Sequence, residues 1–139
     1  MKNKINSFED LIIWQKAQDL AFKLYKITNE NIHIRKDFAL KNQIKSAAIS
    51  ISDNIAEGFE YNNNPDFKRF LRIAKGSCGE IRNKILFLKR MEYINQILAD
   101  ELSNESKILG NQIGELIKKV NQRIISDGKI SKAPVTHNT

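Results

Sequence analysis

Apolar residues recur three and four positions apart over four long stretches of this chain, and no stretch alternates with the period of two that a half-buried strand requires. In the first stretch Leu11, Trp14, Ala17, Ala21 and Leu24 share a face. Ser7 and Asp10 precede it in capping-box spacing, with Asp in place of Glu, so the pattern predicts a helix over about 9–29. Leu40, Ile44, Ala47, Ile51 and Ile55 form a second stripe that predicts a helix over about 36–57, with Gly58 as its C-terminal stop. The run "NENIHIRKD" between them reads as a polar connector. In "YNNNPDF", Asn64 is placed to accept a cap hydrogen bond, Pro65 suits a first turn and Asp66 favours a helix N-terminus. Phe67, Leu71, Ala74, Cys78, Ile81, Ile85 and Leu88 then alternate spacings of four and three, a heptad seam that predicts a third helix over 65–91. Leu98, Leu102, Leu109, Ile113, Leu116, Val120 and Ile124 predict a fourth helix from about residue 95. The polar, aperiodic "SDGKISKAPVTHNT" predicts a disordered tail over 127–139. The fold class is all-α: an antiparallel up-and-down four-helix bundle over 1–126, with long third and fourth helices.

A chain of 139 residues with 41% hydrophobic composition suits one domain with a real core. Its single cysteine, Cys78, has no partner in the chain for a disulfide, and the N-terminal residues lack an apolar run of signal-peptide length. No window holds the ~20 apolar residues of a membrane span. These features predict a cytoplasmic protein. Of the net charge of +7, +6 falls within residues 65–91, where Lys68, Arg69, Arg72, Lys75, Arg82, Lys84, Lys89 and Arg90 meet only Asp66 and Glu80. Such concentration is the mark of a polyanion-binding surface.

Catalytic chemistry finds little support in the residues. The two histidines, His33 and His137, stand in no Glu-x-x-His spacing, so no metal is expected, and neither is a cofactor. Cys78 sits mid-seam as a small core residue, and no histidine is placed to activate it. Gly76 and Gly79 lie three apart inside a predicted helix, which implies close helix approach rather than phosphate binding. At 100° per residue, Gln43, Ser50, Asn54 and Glu57 share one flank of the second helix. Asn54, Glu57 and Glu80 are read as a structural polar network that fixes helix register or a subunit contact, with a ligand pocket as the alternative. Lys68, Lys75, Arg82 and Lys89 recur every seven residues, with Arg72 between the first two and no acid on the stripe. They are the candidate nucleic-acid-binding residues, with Arg69 and Lys84 behind them. No aromatic residues are interleaved, so base stacking is not implied. Phe70, Leu86 and Phe87 lie off the seam and widen the apolar surface of the third helix, which homo-oligomerisation would bury. The expectation is a non-enzymatic homo-oligomer that binds nucleic acid, with RNA favoured. The alternatives are a scaffold that docks an acidic protein on the same basic face, or a bundle with no specific ligand.

Three segments in order, "FEDLIIWQKA" (8–17), "QIKSAAISISDNIAEGF" (43–59) and "FKRFLRIAKGSCGEI" (67–81), resemble the family called four helix bundle protein, also known as the 23S ribosomal RNA intervening-sequence protein family. The resemblance covers about 7–124. It implies an antiparallel four-helix bundle, assembly as a ring-like homopentamer and no established biochemical activity. A similar branch, the accessory variability determinant of diversity-generating retroelements, works with a reverse transcriptase and RNA, which makes a reverse transcriptase a possible protein partner here. The chain departs from the family pattern at Ser52, where Pro is frequent, at Asp53, where Ser is, and at Lys45–Ser46, where paired Arg is. Arg82 and Lys84 follow Glu80 where relatives carry acidic or neutral residues, which strengthens the basic stripe. By motif, Asn54, Glu57 and Glu80 match recurrent polar positions, and the resemblance gives them structural importance rather than catalytic roles.

Overall fold

The computed structural model describes residues 4–132. A single 3₁₀ turn (Phe8–Asp10) leads into α1 (Ile12–Glu30), and α2 (Ile32–Lys36), α3 (Phe38–Glu60), α4 (Asn64–Arg90) and α5 (Gln96–Lys132) follow. Among the described residues there is no strand. The four long helices form the bundle in the order α1, α3, α4, α5, each packed on the next and α5 closing back on α1. Side-chain links show that neighbours run in opposite directions. Gln18 bonds Ser52 while Lys45 bonds Asn29; Lys68 bonds Asn121 while Lys89 bonds Asp100. Up-down-up-down topology is the result.

The seam residues of every stripe are in the core or, like Leu11, Trp14, Phe67, Leu98, Leu116 and Ile124, partly buried against it. Leu20, Leu24, Ile44, Ile51, Ile55, Leu71, Ile81, Ile85, Leu88, Ile113 and Val120 are fully buried, each contributing about 1.5–3 kcal/mol of apolar burial. Asp10 Oδ2 accepts from the Ser7 and Asn6 backbone N–H groups at 3.1 and 2.9 Å, but it closes the 3₁₀ turn, and α1 starts only at Ile12. At α4 the cap is Asn63, not Asn64: its Oδ1 accepts from the Asp66 N–H at 2.8 Å. The connector after α1 is not wholly polar, because α2 buries Ile34 completely and is capped by Asn31, whose Oδ1 accepts from His33 and Ile34. Asn31 also donates to the Tyr93 carbonyl at 2.7 Å, tying this end of the bundle to the α4–α5 turn.

Gly58 does not stop α3, which runs on to Glu60. Its role is close approach: an added Cβ would lie 2.6 Å from Phe70 Cβ and 3.2 Å from Phe67 Cδ1. Phe70, expected to need an outside partner, is 7% exposed because it enters this gap and stacks on Tyr61 at 5.2 Å. The turns use non-glycine residues at positive φ, Asn62 at 55° and Glu92 at 61°. After α4, Tyr93 N–H reaches Leu88 O and Glu92 N–H reaches Lys89 O, both at 3.0 Å, a Schellman closure with Glu where Gly is usual. The tail expected to be disordered from 127 is helical through Lys132, and residues 133–139, His137 among them, lie outside the described residues.

Candidate nucleic-acid interface

The heptad of α4 turns Lys68, Lys75, Arg82 and Lys89 onto the flank that borders α5. Facing them across the antiparallel pair stand Asn121, Gly114, Lys107 and Asp100, which also recur every seven residues. Lys68 Nζ donates to Asn121 Oδ1 at 2.8 Å and Lys89 Nζ pairs with Asp100 at 2.9 Å. Lys75 lays its stem across Gly114, where a Cβ would come 3.1 Å from Lys75 Cε and 3.6 Å from Nζ. The same register sets Lys107 opposite Arg82, two cations with no acid between them. The stripe therefore meets its acid on α5, at Asp100, where no inspection of α4 alone would find it.

Among the described residues, the side chains of Arg72, Lys75 and Arg82 make no hydrogen bond or ion pair, and all three residues are exposed. Arg69 is engaged differently: it pairs with Asp66 at 3.2 Å, and its guanidinium lies 4.5 Å from the centre of the Phe70 ring. The Asn63 side-chain amide, and then Arg69, hold the Asp66 carboxyl below its usual pKa. Lys84 sits on the opposite flank, lining a groove of about 400 Å³ with Leu40, Gln43, Leu86, Phe87 and Arg90. The predicted basic face thus divides into three unpaired cations, three engaged ones and Lys84 apart from both. Lys107 and Lys118 on α5 join it, and the seven-residue counter-stripe of α5 is the pattern that identifies Lys107 in the sequence.

On the other side of α4, Asn54 is half-buried, and its Nδ2 donates to Ser50 O at 2.8 Å and Ser50 Oγ at 3.0 Å. Ser50 Oγ shares a 3.0 Å hydrogen bond with Ser77 Oγ, so one chain of polar groups joins α3 to α4. Glu57 and Glu80 are exposed, and their carboxylates make no hydrogen bond or ion pair among the described residues. Gly76 and Gly79 face open space, with nothing within 4 Å of an added Cβ, so the close approach expected there does not occur within the chain. Cys78 is buried, its thiol pushed up to about 12 by desolvation, and its carbonyl accepts from Ser106 Oγ at 2.7 Å. A thiol so placed is a poor nucleophile. Among the described residues no group of three or more His, Cys, Asp or Glu is disposed to hold a metal ion, and no helix is long and apolar enough to cross a membrane.

Comparison with known proteins agrees with this architecture. The model of the 23S rRNA-intervening sequence protein family matches residues 9–115. A crystal structure of a protein of unknown function from the S23 ribosomal protein family of Bacteroides thetaiotaomicron superposes with a TM-score of 0.70 at 25% identity, covering 77% of this chain and 96% of that one. No curated protein matches.

Proposed function

From the premise that the chain belongs to the 23S rRNA-intervening sequence protein family, we propose that it is a non-catalytic, self-associating bundle that binds nucleic acid along the α4 flank facing α5. The observation that carries this reading is the set Arg72, Lys75 and Arg82, three exposed cations without acid partners among the described residues, spread over about 15 Å of one helix. Cations left unpaired on one rigid face attract a polyanion, and phosphate contacts of this kind are largely independent of base sequence. RNA is favoured over DNA because the family's description ties its members to an rRNA intervening sequence. Self-association is supported by Ile73, Leu86 and Phe87, which α4 leaves 46%, 43% and 48% exposed.

Fluorescence anisotropy with a short structured RNA tests the reading. Affinity is expected to fall steeply with salt, with a log–log slope of about −0.7 to −0.9 per phosphate contact. Replacing Arg72, Lys75 and Arg82 together by Gln should cut the slope by about one per lost contact. Binding that ignores salt and the triple substitution would overturn it. RNA capture only when an acidic protein such as a reverse transcriptase is added would move the basic face to the role of protein dock.

A further inference from the structure

The basic flank is not flat. Between α4 and α5 lies a cleft of about 800 Å³ lined by Arg72, Lys75 and Gly76 on one wall and Asn111, Gly114, Glu115, Ile117 and Lys118 on the other. Each wall has a glycine at the gap. Gly76 adds no bulk to an open face, and Gly114 leaves the space that the Lys75 stem crosses, so the Lys75 ammonium is held over α5 rather than extended into water. The only acid lining the cleft, Glu115, is paired with Lys118 at 3.2 Å. Arg72 and Lys75 thus line the cleft from α4 without an acid partner, Lys118 lines it from α5 beside its paired Glu115, and Asn111 is on the same wall.

We propose that this cleft seats one phosphate group of a single nucleic-acid strand, with Arg72, Lys75 and Lys118 around the phosphate and Gly76 and Gly114 as positioning residues that keep the seat open. The inference rests on the nucleic-acid reading above and adds to it a specific location and strand form. The gap between two packed helices admits the sugar–phosphate backbone of one strand, whereas a duplex bears on the rims.

The test separates space from charge. Gly76→Leu fills the cleft without removing a cation, and Gly79→Leu adds the same bulk to the same helix outside the cleft. Binding of a fluorescein-labelled oligouridylate is measured for both across a salt series. Gly76→Leu is expected to weaken binding about tenfold and to reduce the log–log slope by about 0.7, the contribution of one phosphate contact on a single strand. With an oligouridylate short enough to occupy a single copy, so that any change in assembly does not enter, Gly79→Leu should bind like the wild type. Gly114→Leu should act as Gly76→Leu does; if displacing Lys75 prevents its folding, Gly76→Leu decides alone, since a Cβ there meets nothing within 4 Å. If Gly76→Leu keeps wild-type affinity and slope while the Arg72, Lys75 and Arg82 triple variant loses both, the cleft is not the seat and the basic-face reading stands. If all of these variants bind as the wild type does, both fall.

Discussion

Asn54 directs its amide hydrogens inward, to the Ser50 carbonyl and hydroxyl, and through Ser50 it reaches Ser77 on the next helix. A hydrogen-bonded amide in this position contributes about 0.5–1.5 kcal/mol net, and its loss takes a donor from the Ser50 carbonyl and hydroxyl at a half-buried seam. Asn54→Ala is therefore expected to lower the melting temperature by a few degrees while RNA affinity per particle stays within twofold of the wild type. Calorimetry and anisotropy on the same preparation check this, and an unchanged melting temperature with selective loss of RNA binding would make Asn54 a ligand residue instead. Glu57 and Glu80 differ from Asn54 in kind. Both side chains are exposed, and neither carboxylate has a hydrogen bond or ion pair among the described residues.

At the scale of elements, the heptad of α4 is the most legible feature of the sequence. Seven seam residues without a miss mark both the buried face and the basic flank, because a long helix between two neighbours must repeat its burial every three or four residues. The short α2 was not legible: five residues hold one turn and one fully buried side chain, Ile34, too few for any periodicity to register. Gly58 looked like a stop because glycine commonly ends helices, yet its value is tertiary, in the gap that Phe70 fills, and local pattern carries no information about a partner helix. The partners of the basic stripe were hidden for the same reason, since Asp100 and Asn121 lie on α5 and only the antiparallel register brings them across. Gly76 and Gly79 invert the case of Gly58. A glycine inside a helix costs about 0.5–1 kcal/mol relative to Ala, and in the isolated chain neither position returns any packing for it. A second backbone approaching this face would return it. Gly79→Ala is expected to raise the melting temperature of the single chain by a few degrees and to shift the assembly toward lower mass. A higher melting temperature with unchanged mass by light scattering would leave the outer face of α4 with no part in assembly.

For the whole molecule, the exposed side chains Ile73, Leu86 and Phe87 and the unpaired cations Arg72, Lys75 and Arg82 are carried by one helix, so the proposed assembly and the proposed polyanion binding would be coupled through α4. If copies pack through the apolar side of α4, their basic flanks are held together in one particle. A strand bound by one copy then meets the next at high effective concentration, and avidity rises by about 10²–10⁴ without any new contact. Phe87→Glu separates the two properties, because it places a charge among apolar side chains and leaves Arg72, Lys75 and Arg82 untouched. Light scattering is expected to give a multiple of the chain mass for the wild type and the single-chain mass for the variant. For an RNA long enough to span several copies, the variant should lose at least tenfold in affinity, while for an RNA that occupies a single copy the two proteins should bind alike. Equal affinity of both proteins for the long RNA, despite the drop in mass, would mean that each copy binds alone and that assembly serves some other end. A wild type already at the single-chain mass would remove self-association, and the exposed apolar side of α4 would then await a different partner.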